Sequence, residues 1–549
     1  MKELQNYVYK VKASRVAGLY MQSMSDMIAY SQALSIPPTL SLLTAAPSSA
    51  LLTSVVTESL YIPMDCLAYG IHGACYTGKV QVTKWMAQLA QRPLQWQLHI
   101  DGKYKLHHQK FLLLTLGTHR LRYDHHHSTL SNSFVPLVYL FCKEGERDGA
   151  VQLLIDSFVS TGQKYYETKL TPGAASTDHA PALRKGIENT WPGVEFGQCW
   201  PHLIRKFVEG EWAKHGVTKT WMHFEMAEKM IRHIHMAQST GMKYLIIKEV
   251  GKIWDTWGHE MDAFWDSNLT DPWDCFSICD MQTPLSTPSN QVQEAWHNQI
   301  LKSRIPGMFK QSTTNVITQA LPKLIRLDGT FIPDVLSFDV SEPNTAFLLP
   351  TACTVLAPSV QVPAVPREIL LKGKWYVDNT RTHVHIAKEK GDFFWYVLRK
   401  SNEAGLKKVT NKSLEAYIDT FNGKKPTGIK SYEALTNACF SYQLVRYAPS
   451  DMCVPDCDFN KAKLLCTCKG YKQHAICSHV AAVNHLLHKV DLEDSVKELH
   501  APRKAGGYRK GVRPALMKER EADSFSDSSE DEPLSKRRLL AGPAKKKKP

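Results

Sequence analysis

The chain has 549 residues with 67 basic and 53 acidic side chains, a formal net charge of +14 and a pI near 9.0, so its expected partners are polyanions. Hydrophobic residues make up 43%, enough for a sizeable core, and at roughly 100–200 residues per domain the length allows two to four domains. Thirteen cysteines, an odd number, and a start without a charged-then-apolar leader argue against a secreted disulfide scaffold and for a reducing compartment; the uncharged run 29–57 is broken by Pro37, Pro38 and Pro47, short of the ~20 apolar residues of a membrane span.

In chain order, residues 1–94 read as a helical and linker region. From 95 the pattern sharpens: "QWQLHID" sends Trp96, Leu98 and Ile100 inward at period two, the mark of a half-buried strand, and ends on Asp101. "FLLLTLG" (111–117) and "FVPLVYLFC" (134–142) are two further strand-like runs. Val151, Leu154, Ile155, Phe158 and Val159 then recur on one face of an amphipathic helix. "GAAST" leads into Asp178, and Pro181 opens a helix carrying Leu183, Ile187 and Trp191 that ends at Pro192–Gly193. "VEFGQC" is a short strand and "WPHLIRKFVEGEW" a helix.

Three strands, helix, strand, helix, strand, helix is a mixed α/β order, and it resembles the ribonuclease H-like core. Residues 206–289 change character, with helical spacing and six of the thirteen tryptophans, and read as a helical insertion. A helix restarts in "STPSNQVQEAWHNQILKS" with Ser289 or Asn290 as N-cap. Residues 326–440 form a connecting region without a readable task, and 496–549 an acidic and basic tail expected to be disordered.

Phosphodiester cleavage by two metals needs carboxylates converging on divalent ions ~3.5–4 Å apart, and hard oxygen ligands suit Mg²⁺. Asp101 ends the first strand, Asp178 follows the fourth, and Glu294 lies on the helix after the insertion. Asp101 before Gly102 also fits a turn, Asp178 a helix cap, and Glu294 a solvated helix face, with Glu260 and Asp262 as rival third acids.

"LHIDGKYKLHH…FLLLTLGTH", "STDHAPALRKGIENTWPG", "QCWPHLIRKF" and "SNQVQEAWHNQILK", in this order, resemble the catalytic domain of Mutator-like element (MULE) transposases, over about 95–325. The resemblance implies a ribonuclease H-like DDE fold, with Asp101, Asp178 and Glu294 as catalytic acids holding Mg²⁺ or Mn²⁺. It implies DNA as substrate and homo-oligomers on DNA ends. The family's Cys-x-x-His motif falls on Cys199 and His202, implied to shape the active site or touch the DNA end; a buried Cys with a hydrogen-bonded His fits the spacing equally. Lys103 stands where many family members carry Thr.

"KLLCTCKGYKQHAICSHVAAV" supplies Cys466, Cys468, Cys477 and His479, three thiolates and an imidazole that complete a tetrahedral zinc shell. The spacing resembles the SWIM-type zinc finger that follows the catalytic domain in these transposases, here over 441–495, with Zn²⁺ folding a unit too small for its own core. Cys453, Cys457 and His474 lie nearby and could substitute as ligands, but read first as packing or surface residues. His125–His127 point in different directions and are no chelate, and "GHEMDAF" lacks the second histidine of a zinc protease helix.

In the tail, Ser524, Ser528 and Ser529 stand three residues before Asp527, Asp531 and Glu532, resembling sites of an acid-directed kinase. Lys536–Arg538 and Lys545–Lys548 look like a nuclear import signal or a DNA grip, so a nuclear location is expected. Residues 501–549 carry 14 basic and 7 acidic residues, half of the net excess. Two functions are in play: an active transposase, or a domesticated DNA-binding nuclear regulator like the plant far-red-response factors of this lineage. The family's N-terminal DNA-recognition zinc domain has no ligand set in 1–94, where Cys66 and Cys75 stand alone, and "LQNYVYKVKASR" resembles the link that follows such a domain, so truncation there is the expectation.

Overall fold

The computed structural model describes residues 24–32, 36, 38–40, 59–104, 107, 109–124, 129–299, 312–330, 365–389, 391–400, 405–450, 452, 454–455 and 457–497. Among these, a seven-stranded mixed sheet is built from β1 (Ser59–Ile62), β2 (Gly73–Gly78), β3 (Gln97–Lys103), β4 (Leu112–Asp124), β5 (Thr129–Cys142), β6 (Ala174–Thr177) and β7 (Glu195–Gln198). Its order is β1-β2-β5-β4-β3-β6-β7. β3, β4 and β5 form an antiparallel meander, and β6 and β7 add to β3 in parallel.

Alternation along these strands decides which side chains meet. Trp96, Leu98 and Ile100 enter one core with Leu112, Leu114 and Leu116 of β4 and Val138, Leu140 and Cys142 of β5. The intervening Leu113, Tyr139 and Phe141 enter a second core on the other face. Period two therefore gives Asp101 the parity of the second face.

Helices α1 (Asp148–Tyr166) and α2 (Pro181–Thr190) close the first face with Val151, Leu154, Ile155, Phe158, Leu183 and Ile187. After β7 come α3 (Trp200–Glu209) and the insertion, α4 (Phe224–His235), α5 (Thr240–Trp254) and α6 (Asp262–Asn268). The buried ion pairs of Lys243 Nζ with Asp280 Oδ1 at 2.7 Å and Asp274 Oδ2 at 3.3 Å tie the end of the insertion to α5. Two helices, α7 (Gln291–Gln299) and α8 (Leu321–Thr330), then cover the second face, burying Trp296, Leu321, Leu324 and Ile325 against Tyr76 and Tyr139.

A second sheet follows α9 (Arg367–Asp378). It consists of β8 (Val384–Glu389), β9 (Asp392–Leu398), β10 (Tyr442–Tyr447) and β11 (Leu464–Cys466), antiparallel in the order β11-β10-β9-β8. Between β9 and β10, α10 (Asn411–Phe421) and α11 (Tyr432–Phe440) carry Tyr417, Leu435 and Cys439 into the core of the insertion. The chain ends its described course with α12 (Lys469–His474), α13 (Ser478–Leu486) and α14 (Leu492–Lys497), the last two packed on α9.

The architecture is thus mixed α/β. It departs from the sequence reading at two boundaries. Two strands of the central sheet, β1 and β2, lie before residue 95, in the region read as helical and linker. They are four and six residues long, and β2 is buried at every position, so neither shows an alternation. Likewise β8 and β9, from the connecting region, share their sheet with the segment that carries Cys466. Among the described residues no helix is long and apolar enough to cross a membrane. Residues 125–128, Cys453 and the tail from 498 lie outside the described residues, and with them the histidine run and the acidic and basic motifs.

Candidate active site and metal centre

The parallel pairing of β3 and β6 sets two acids side by side. His99 pairs with Ser176, so Asp101 on β3 and Asp178, one residue past the end of β6, leave adjacent strands ~4.8 Å apart in the same direction. Asp101 lies inside β3, which removes the turn reading of "DG". Gly102 has another use: a Cβ there would fall 2.1 Å from Glu146 Oε1, so only glycine lets that carboxylate approach.

The third acid arrives on α7. Asn290 Oδ1 meets His99 Nδ1 at 3.1 Å, the Gln293 amide donates to the Thr115 carbonyl at 2.9 Å, and the Trp296 indole donates to Asp328 Oδ1 at 3.0 Å. The first two contacts pin the helix across β3 and β4, and the third ties it to α8. The neighbouring His297 brings Nδ1 to 3.3 Å from Asp101 Oδ2. The rival acid Asp262 instead pairs with the exposed His259, and Glu260 packs against Gly216 and Gly258, in the insertion.

His202 sits between the acids. Its Nδ1 lies 2.6 Å from Asp178 Oδ1 and 3.3 Å from Glu294 Oε1, while Arg205 Nη2 reaches Glu294 Oε2 at 3.1 Å. Burial alone would lower the His202 pKa; Asp178 and Cys199 outweigh it and push it up to about 11. Cys199 is fully buried at the N-cap of α3 and accepts a hydrogen bond from the Asn290 backbone N–H at 3.2 Å. Cys199 and His202 thus link the β7–α3 turn, the Asp178 strand end and the Glu294 helix.

Asp178 Oδ1, His202 Nδ1 and Glu294 Oε1 are each buried without a partner of hydrogen-bond geometry, despite their proximity. Carboxylate oxygens turned inward in this way are paid for only by positive charge. His202 supplies that charge to Asp178 and Glu294, and His297 lies beside Asp101. Asp178, Cys199 and His202 also bring one ligand atom each within 4.8 Å of one another.

Glu146, from the turn between β5 and α1, was not among the sequence candidates. Burial, then the charges of Asp101 and Asp178, push its pKa up to about 7. It lines a cavity of ≈ 330 Å³ together with Asp178, Cys199 and His202. The only signal in the sequence was a carboxylate following β5, which β4 separates from the Asp101 strand, in the charged run "KEGERDG" where none stands out.

The Cys466, Cys468, Cys477 and His479 set comes together, with their ligand atoms within 4.8 Å of one another. Cys466 ends β11, Cys468 caps α12 by accepting from Tyr471 N at 3.3 Å, and Cys477 caps α13 by accepting from Val480 N at 3.5 Å. Cys466 Sγ is 3.7 Å from His479 Nδ1, close to the ~3.5 Å edge that a tetrahedron with 2.0–2.3 Å bonds requires. Burial raises the Cys466 and Cys477 thiols well above their usual range, whereas hydrogen bonds from these two pull Cys468 well below it. The cluster is a buried Cys₃His site able to hold a metal ion, and its donor set is compatible with zinc. Cys457 and His474 are packed nearby but outside this set. None of the described cysteines forms a disulfide.

Set against known proteins, the chain matches no family model and no curated protein.

Proposed function

We propose that the chain is a DNA transposase of the Mutator-like type, with a ribonuclease H-like catalytic core and a SWIM-type zinc finger, acting in the nucleus. The observation that carries the reading is the placing of Asp101 on β3, Asp178 at the end of the adjacent parallel β6 and Glu294 on the helix laid across them, with His202 bridging Asp178 and Glu294. The strand order β5-β4-β3-β6-β7, three antiparallel strands followed by two parallel ones, supports the ribonuclease H-like core.

Asp101, Asp178 and Glu294 would hold Mg²⁺ or Mn²⁺. Such ions, when bound, activate the attacking oxygen and stabilise the leaving one. The chain's own residues have separable tasks: Asn290, Gln293 and Trp296 orient the Glu294 helix, His202 and Arg205 balance the charge of the acids, and His297 steadies Asp101. Cys466, Cys468, Cys477 and His479 would bind Zn²⁺ and hold β11 to α13. The net charge of +14 suits a DNA partner.

The DNA on either side of the gene tests the reading. Inverted terminal repeats bounded by short target duplications are expected, and oligonucleotides of those repeats would then be cut by the protein. Flanks without repeats, together with retained DNA binding and no cutting, would point to the domesticated regulator.

A further inference from the structure

Apolar packing holds α7 on the sheet but does not fix where along β3 it stops, because burial is non-directional. The directional contacts come from the segment that leads into it. Gln97 of β3 donates from Nε2 to the Thr287 carbonyl at 2.7 Å and accepts from the Thr287 N–H at 3.1 Å. The Trp200 N–H donates to the Pro288 carbonyl at 2.8 Å. Leu285, at the start of the segment, stands in the left-handed region with φ 63°, a backbone form that a side chain resists and that its neighbours must hold. Asn290 precedes the first residue of α7, and its carbonyl accepts from the Gln293 and Glu294 N–H groups at 3.0 and 3.2 Å.

Two histidines join this segment to the sheet. His119 Nε2 lies 3.0 Å from the Leu285 carbonyl, which can only accept, so Nε2 carries the proton. Burial lowers the pKa of both His99 and His119, so each is neutral near pH 7 and has a single N–H. His119 Nδ1 is therefore an acceptor, and His99 donates to it from Nε2 at 2.8 Å. That leaves the His99 Nδ1 lone pair facing the Asn290 side chain at 3.1 Å, where only the amide Nδ2–H can meet it. A half-turn of that amide brings Nδ2 there, and the same turn takes it from a buried place in which it has no partner. The opposite order of protons would set two acceptors against each other at Leu285.

We infer that His99 and His119 are positioning residues for the third acid, a proposal that rests on the metal-holding reading above. Asn290 donates to His99, His99 to His119 and His119 to the Leu285 carbonyl, a one-way relay that sets where α7 stops along β3. His99 stands two residues before Asp101 on the same face of the strand, and the Asn290 carbonyl holds the Glu294 N–H. The relay thus registers Glu294 against Asp101. It also passes through the turn at Leu285, so the end of the insertion takes part in placing the third acid.

Mn²⁺ binding by the full-length protein, followed by isothermal titration, tests the proposal without DNA. His119→Leu, which fills the site but ends the relay, should weaken binding about tenfold, as loss of a supporting residue does. His119→Gln should bind like the unaltered protein, because its Oε1 can accept from His99 while its Nε2 donates to Leu285. Asn290→Ser keeps a good helix cap but is too short to reach His99, so capping alone predicts no loss and the relay predicts about tenfold. The two broken variants combined should bind no more weakly than either alone, since both interrupt one relay. Unchanged affinity in folded His119→Leu or Asn290→Ser, or losses that multiply in the double variant, overturns the assignment while leaving the metal site intact. Nitrogen-15 NMR of labelled histidines reads the relay separately: His99 and His119 should both carry the proton on Nε2, and a proton on Nδ1 of His99 overturns the relay whatever the metal does. An unaltered protein that shows these tautomers but binds no Mn²⁺ overturns the metal-holding reading and the positioning role with it.

Discussion

Glu146 is the residue whose position adds most to the site. Its carboxylate faces Asp101 and Asp178, and together with burial they hold its pKa at about 7, so a cation arriving at the two aspartates meets a group that can become a third charge. Glu146→Gln is expected to weaken Mn²⁺ binding by about tenfold, as loss of a supporting group does; isothermal titration checks it, and unchanged affinity would remove Glu146 from the site. His99 and His119 make a different use of burial. They share a 2.8 Å contact between Nε2 and Nδ1, and burial lowers both, His119 to about 4. Both are neutral when folded, whereas an unfolded histidine titrates near 6.5. The unfolded chain therefore binds more protons below that pH. Stability is complete above about pH 6.5 and falls as the pH drops toward 4, by about 2 kcal/mol at pH 5 for His119 alone. Urea unfolding at pH 7 and pH 5 should show this slope, and His119→Gln should flatten it. The parity of Asp101 was legible from the alternation of Trp96, Leu98 and Ile100. Glu146 was not, because contacts between a turn and a distant strand leave no periodic trace.

At the scale of elements, α7 decides the geometry of the third acid. Trp296 is 3% exposed, packs edge to face on Phe134 at 5.2 Å and donates to Asp328, which also accepts from the Tyr139 hydroxyl at 2.9 Å. Trp296→Ala is expected to cost about 3–5 kcal/mol and to uncouple Glu294 from Asp178. Chemical denaturation measures the first, and loss of Mn²⁺ binding by the still-folded variant the second. α1 and α2 were legible from an apolar stripe along one face, and this helix from the Ser289 or Asn290 cap before it. The strands β1 and β2 were hidden by their length and by burial on both sides, which erases the alternation that marks a half-buried strand. β8 and β9 were hidden for another reason: their partner β10 lies more than forty residues downstream, across two helices.

Across the whole molecule, the two sheets are joined by the insertion. Its core takes in Tyr396 and Leu398 of β9 and Tyr442 and Leu444 of β10, and Lys472 of α12 donates to the Met281 carbonyl at 2.8 Å. The Cys₃His cluster therefore closes a unit already tied to the insertion. Removing a bound metal with a chelator, or Cys466→Ser, is expected to release one zinc per chain and to expose 441–497 to protease while 95–299 stays protected. Zinc analysis with limited proteolysis reads both, and a metal-free protein with an intact protease pattern would contradict the assignment. The cluster was legible because its four ligands lie within fourteen residues of sequence. The insertion's share in the cavity beside Asp178 was not, since Trp212 and Phe264 come near Asp178 only through the fold.

The most direct test of the account is cleavage of a DNA end by the purified full-length chain in Mg²⁺ or Mn²⁺, compared with Asp101→Asn, Asp178→Asn and Glu294→Gln. The account predicts cutting by the unaltered protein, loss of at least about a hundredfold in each variant with folding unchanged, and no cutting in EDTA. Cutting that persists equally in Asp178→Asn would contradict it.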